Sequence, residues 1–168
     1  MEQRKKYIAY GSNLNIEQMT HRCPTARVVG TGELQGYELL FRGAARGAVA
    51  TVEPREGASV PVLIWDIGPE DERNLDRYEG YPRLYRREDL DVATAEGTES
   101  IMAYVMNEGY DIGIPGKHYY GTILCGYEQA GFDQRILRES VRHCQMLMNE
   151  AAEGHGMEGR MWTQQQLY

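Results

Sequence analysis

Glu79 stands where an α-helix must stop. Gly80 and Pro82 follow it, and three tyrosines surround it in Leu75-Asp76-Arg77-Tyr78-Glu79-Gly80-Tyr81-Pro82-Arg83-Leu84-Tyr85. A carboxyl group held in a rigid, aromatic-rich turn loses water, which raises its pKa and turns a charge carrier into a usable base. A surface Glu at a helix C-terminus is the plainer reading, but that is the unfavourable end of the helix dipole. A second stretch, Tyr10-Gly11-Ser12-Asn13-Leu14, closes the apolar run Tyr7-Ile8-Ala9-Tyr10 with a Gly and residues of helix N-cap type. Several backbone N–H groups are left pointing out of such a turn, where an anion or a polarised carbonyl can sit. On the pentapeptide alone, an ordinary strand-to-helix turn reads the same way.

Other chemistries find less support. His21, His118, His143 and His155 pair with no Asp, Glu or Cys at a metal spacing, and His143 and Cys144 point to different faces of one helix. There is no P-loop and no G-x-S-x-G elbow, and Gly30-Thr31-Gly32 lacks the third Gly and the following helix of a dinucleotide fingerprint. No metal and no cofactor are expected. Three cysteines, Cys23, Cys125 and Cys144, without a C-x-x-C pair, suit reduced thiols.

A net charge of -7 argues against a nucleic-acid partner. Arg83, Arg86 and Arg87 cluster but run at once into Glu88, Asp89 and Asp91, which reads as a solvated mixed-charge strand. With 42% apolar and 26% charged residues, and no window near the ~18 apolar residues of a membrane span, no membrane partner is expected. Residues 1–6 are basic but lead into a short strand without a signal-peptide core, so a cytoplasmic location is expected.

Both stretches need elements to bring them together. Residues 5–10 read as a strand and 15–22 as a short helix closed by Pro24. A strand begins at 26–29, and 37–42, 47–53 and 60–67 read as separate strands punctuated by Gly, Pro and charge. Pro69-Glu70-Asp71-Glu72 starts a helix, with Pro at the first position and acids at the positive end of the dipole. Residues 84–93 and 100–107 form two strands joined at Glu96-Gly97. A helix spans 118–129, and a last one runs from the N-cap Asp133 to about Ala152. The polar segment 154–168 is expected to be a loosely held tail or a partner contact, beyond a single domain over 1–153. Strands first and helices afterwards point to an α+β domain with one partly closed barrel covered by helices.

The ordered set of Tyr10-Gly11-Ser12-Asn13-Leu14, then Leu75-Asp76-x-x-Glu79-Gly80 with Tyr85 beyond it, then Pro115-Gly116-Lys117-His118-Tyr119-Tyr120, resembles the γ-glutamylcyclotransferase-like (AIG2-like) family. The resemblance covers roughly residues 5–130. It implies a small mixed β-barrel with surrounding helices, a cavity at one barrel mouth, and conversion of a γ-glutamyl amine or peptide into 5-oxoproline and the free amine. Carried over by position, it implies Glu79 as the acid/base. Tyr10, Gly11, Ser12 and Asn13 become a substrate loop with Leu14 as its packing anchor, and Tyr85 and Tyr119 become walls and hydrogen-bond partners. The choice of Tyr119 over Tyr120 rests on spacing to Gly126.

The residue types fit that chemistry. The substrate's own α-amine must lose a proton before it attacks, and transfer to an ordinary Glu is uphill by about 3.5 pK units, or roughly 5 kcal/mol. Burial of Glu79 shrinks that gap. The loop 42–47, with Arg42 and Arg46, reads either as a feature for a carboxylate-bearing substrate or as a solvated β-turn. The leaving group stays open. A second reading keeps the fold as a non-catalytic binding or interaction module that uses the Met-rich last helix and residues 157–168 to hold a partner or a second copy. A carboxylate beside the substrate loop favours the enzyme.

Overall fold

The computed structural model describes residues 3–165, with side chains described through Gly154. Five strands close into one barrel in the order β1-β3-β2-β4-β5. They are β1 (Lys5–Ala9), β2 (Arg27–Arg42), β3 (Val49–Ile67), β4 (Tyr85–Thr94) and β5 (Gly97–Met106). β1 pairs parallel with β5 through Tyr7 and Met102, and the other pairings are antiparallel. This is the mixed barrel of an α+β domain.

The strands expected at 37–42, 47–53 and 60–67 are corrected by the structure: they belong to two long strands. β2 and β3 form one hairpin whose register runs from Arg27 opposite Asp66 to Arg42 opposite Val49. Gly36 and Pro54, read as breaks, belong to a register shift instead: Gln35 pairs with Ser59 and Tyr37 with Pro54, so Gly36, at φ 78°, stands alone opposite residues 55–58 of β3. Extra residues in one strand of a pair bend it, and five strands need such bends to close.

Four helices wrap this barrel: α1 (Ile16–Arg22), α2 (Pro69–Glu79), α3 (Lys117–Ala130) and α4 (Gln134–Gln165). Asn15 caps α1, its side chain accepting from Gln18 N–H at 3.1 Å. The backbone of α4 continues through the expected tail to Gln165, and the side chains of residues 155–168 lie outside those described. α4 is fastened to β2 by polar contacts at a buried seam. Ser140 Oγ donates to Leu39 O at 2.6 Å, and Phe41 N–H donates to Cys144 Sγ at 3.3 Å. Among the described residues no helix is long and apolar enough to cross a membrane.

Ends of several elements meet at one mouth of the barrel. β1 pairs with β3 only as far as Ala9 opposite Leu63, so the stretch of β3 near Ala50 has no strand on that side. The chain leaves β1 there, and α2 ends over the same opening.

Candidate active site

The opening is a cavity of about 190 Å³ walled by tyrosines: Tyr7, Tyr10, Tyr78, Tyr85, Tyr104 and Tyr119. Gly11, Ser12, Asn13, Val49, Ala50, Leu84 and Glu79 complete its lining. Tyr7 and Tyr104 reach it from paired positions of β1 and β5, Tyr85 from the start of β4, Glu79 from the end of α2 and Tyr119 from the first turn of α3.

After Tyr10 the chain makes a 3-10 turn over Ser12–Leu14, whose internal ladder begins with Leu14 N–H donating to Gly11 O at 3.0 Å. The N–H groups of Ser12 and Asn13 therefore have no acceptor inside the turn. Leu14 is fully buried and does not line the cavity. It packs beneath the turn against α3, where a Cβ on Gly126 would stand 2.5 Å from Leu14 Cβ and 2.8 Å from Leu14 C. Only glycine lets α3 come this close. Trp65 Nε1 donates to Asn13 O at 3.1 Å and holds the turn from the barrel side.

Two tyrosines occupy the unpaired side of β3 at Ala50. Ala50 N–H donates to Tyr119 Oη at 3.0 Å, and Tyr85 Oη donates to Ala50 O at 2.5 Å. The hydroxyls take the place of a missing strand. Tyr10 Oη donates to Tyr104 O. Burial pushes Tyr7, Tyr10, Tyr85 and Tyr119 above the usual tyrosine range, so these walls are neutral hydroxyls.

Glu79 is the last residue of α2, and Gly80 ends the helix in the left-handed conformation at φ 64°. The helix is pinned one turn earlier. Asp76 accepts from Tyr104 Oη at 2.6 Å and from Arg87 Nε at 3.1 Å, and Arg87 also pairs with Glu72 at 2.9 Å. Arg87 thus leaves the solvated strand face on which it was expected. Tyr81, expected near Glu79, points elsewhere: it is 39% exposed and its ring lies 4.5 Å from the Arg87 guanidinium. The chain reversal after Gly80 carries it past the carboxylate.

Glu79 Oε1 accepts from Asn13 Nδ2 at 3.2 Å. Loss of water raises the carboxyl to about 7, a rise partly opposed by the Arg22 charge and then by the Asn13 hydrogen bond. The same Asn13 nitrogen donates to Tyr7 Oη at 2.9 Å. Arg22 donates to Asn13 Oδ1 and lies 3.2 Å from the ring centroid of Tyr78, whose hydroxyl meets Ser12 Oγ at 3.1 Å.

The structure therefore gathers Glu79, Tyr10, Gly11, Ser12, Asn13, Tyr85 and Tyr119 around one space, with Leu14 beneath it. Sequence reasoning missed Tyr7, Tyr104 and Arg22. Tyr7 is hidden in an apolar strand, and the one signal for Arg22 was Gln18 four residues earlier on the same helix face, which it meets at 3.0 Å. Arg42 is turned away, donating to Glu53 and to Tyr110 O, so at Arg42 the loop is the solvated turn and not a substrate clamp. Cys23 is buried and its thiol is pushed up to about 12, and His143 of α4 faces Glu38 of β2 at 3.0 Å, outside the cavity lining. The arrangement offers a single carboxyl poised near neutrality, a turn whose first N–H groups have no acceptor within it, and walls rich in buried tyrosine.

A family model described as gamma-glutamyl cyclotransferase, AIG2-like, matches residues 7–121, a span that holds every residue of the cavity wall. The chain is 29% identical over 133 residues to the gamma-glutamylcyclotransferase of Homo sapiens, covering 74% of this chain and 71% of that protein. It is 29% identical over 136 residues to the gamma-glutamylcyclotransferase of Mus musculus, covering 76% and 72%. A solved gamma-glutamyl cyclotransferase structure superposes with a TM-score of 0.74 at 26% identity, covering 82% of this chain and 86% of that one.

Proposed function

This chain belongs to the gamma-glutamyl cyclotransferase, AIG2-like family, and from that premise we propose that Glu79 is the acid/base of its reaction. It is an enzyme of that type with a small-molecule substrate. One observation carries the assignment of the base: the carboxyl of Glu79 lies in the tyrosine-walled cavity with its pKa raised to about 7.

The substrate's α-ammonium group has a pKa near 8, so giving its proton to Glu79 is uphill by roughly one unit, about 1.4 kcal/mol, in place of about 5. The freed amine attacks the γ-carbonyl carbon of the same molecule. A new C–N bond closes the five-membered ring, and the carbonyl oxygen takes the electron pair. Glu79 delivers a proton to the departing nitrogen, the original amide bond breaks, and the carbonyl re-forms. In all, two protons pass from the attacking nitrogen to the departing one, giving 5-oxoproline and an ammonium product. Confinement in a small cavity folds the glutamyl chain back on itself, which supplies much of the rate by proximity. The N–H groups of Ser12 and Asn13 serve the oxyanion or the substrate carboxylate, while Tyr10, Tyr85 and Tyr119 shape the walls.

The same reading keeps the enzyme in the cytoplasm, with Cys23, Cys125 and Cys144 as free thiols. It leaves the outer side of α4 and residues 154–168 as the surface for a second copy. The deciding experiment measures 5-oxoproline release from γ-glutamyl dipeptides and γ-glutamyl amines, with the native chain beside Glu79→Gln. The native chain turns over, and the variant folds, binds and loses at least about a hundredfold in kcat. Full activity in Glu79→Gln would remove Glu79 from its role. No release by the native chain from any member of the panel would favour a binding module on this fold.

A further inference from the structure

Asn13 sits between a group that can only donate and a group that, once ionised, can only accept. Arg22 carries N–H donors and no acceptor, so the amide oxygen of Asn13 must face it; the Glu79 carboxylate has no donor, so the amide nitrogen must face Glu79. The contacts agree: Arg22 donates to Asn13 Oδ1, and Asn13 Nδ2 donates to Tyr7 Oη at 2.9 Å and to Glu79 Oε1 at 3.2 Å. Both hydrogens of the amide are used, and the amide is locked in one sense. Arg22 is itself locked. Its guanidinium lies over Tyr78, 3.2 Å from the ring centroid, and donates to Gln18 Oε1 at 3.0 Å.

We propose that Arg22, from outside the cavity wall, is a positioning residue that orients Asn13 and so commits Glu79 to exchange its proton through Oε2. The inference rests on the reading of Glu79 as base. Asn13 keeps a donor aimed at Oε1, and a protonated oxygen accepts a hydrogen bond more weakly than a bare one, so a proton on Oε1 would weaken that contact. The mobile proton is therefore confined to Oε2, which takes no hydrogen bond among the described residues. One oxygen thus serves both the attacking and the departing nitrogen, and the carboxyl need not rotate between steps.

Charge acts through the same contact. Glu79 is faced by Tyr7 and Tyr10 from the first strand and its end, Arg22 from α1, Tyr78 beside it on α2, Tyr85 from β4 and Tyr119 from α3. Arg22 is the cation whose field reaches the carboxyl and favours its ionised form.

The test compares the full chain with Arg22→Gln and Arg22→Lys. The Glu79 titration is followed by carboxyl NMR without substrate, and kcat and KM for a γ-glutamyl dipeptide are measured across pH. In Arg22→Gln the Glu79 midpoint moves up by about one unit, and kcat falls on the order of tenfold to a hundredfold with a smaller change in KM. Arg22→Lys keeps the charge but not the planar fork, so the midpoint stays near the native one while kcat still falls. A role confined to holding the fold would lower thermal stability without moving the midpoint. An unmoved midpoint in folded Arg22→Gln, or native turnover in Arg22→Lys, overturns the proposal. If Arg22→Gln does not fold, Arg22→Lys decides alone. Should the native chain release no 5-oxoproline, the cyclotransferase reading fails, while the substrate-free titration still decides whether Arg22 governs Glu79.

Discussion

Glu79 works at a stability cost, because its carboxyl must ionise in a place poor in water. Its pKa rises from 4.5 in the ordinary case to about 7 in the fold. The folded chain therefore holds this proton more tightly than the unfolded chain does. The advantage is fully present below about pH 4.5 and is lost as pH rises through about 7. Glu79→Gln removes the ionisation, so the variant should exceed the native chain in stability by up to about 3 kcal/mol at pH 8, with the difference nearly gone at pH 4. Urea denaturation at the two pH values measures it. As the proposed base, Glu79 carries the opposite preference: that role needs it ionised in the free enzyme, so kcat/KM should rise across pH 6 to 8 with a midpoint near 7. A midpoint below about 5 would mean that the base is a group still exposed to water.

Elements bring this residue to its partners by close approach, and two contacts set the geometry. The Asp76, Tyr104 and Arg87 contacts hold the end of α2 over the barrel. On the opposite side, α3 presses on the Ser12–Leu14 turn through Gly126, where an added Cβ would also meet Asn15 N at 2.9 Å. Backbone atoms cannot yield as a flexible side chain does. Gly126→Ala should therefore cost about 1–3 kcal/mol and lower turnover by displacing the N–H groups of Ser12 and Asn13. Thermal unfolding and kcat on the same preparation check both effects. Full stability together with unchanged kcat would show that the turn adapts without cost.

At the scale of the molecule, α4 covers β2 with Leu137, Ser140 and Cys144, all buried, whereas residues 149–154 are exposed. A chain ending at residue 153 should therefore keep the melting temperature and turnover of the full chain. Size-exclusion chromatography of the two forms reads whether residues 154–168 contribute to self-association. A large fall in melting temperature would place part of the core beyond residue 153.

The sequence by itself determined what depends on neighbours along the chain. Gly80 and Pro82 stop α2 at Glu79, Asn15 caps α1, Pro69 with its acids starts α2, and glycine leads the turn at Ser12. The ordered residue set around Glu79 also pointed to the barrel, its mouth and the reaction. Tertiary structure alone decided which side chains meet across the barrel. Gly36 and Pro54 read as breaks because each is a poor strand residue locally, yet a bulge in a long hairpin absorbs them where closure needs curvature. Tyr7 reads as core until the Ser12–Leu14 turn sets Asn13 against its hydroxyl at the cavity, and Tyr81 reads as a partner of Glu79 until the turn carries it to Arg87. Arg22 reads as an ordinary basic residue at a helix C-terminus, and its role exists only because the closed barrel sets α1 against the end of α2. Local propensity extends over a few residues, whereas the water lost by Glu79 depends on groups that five different strands and helices bring together.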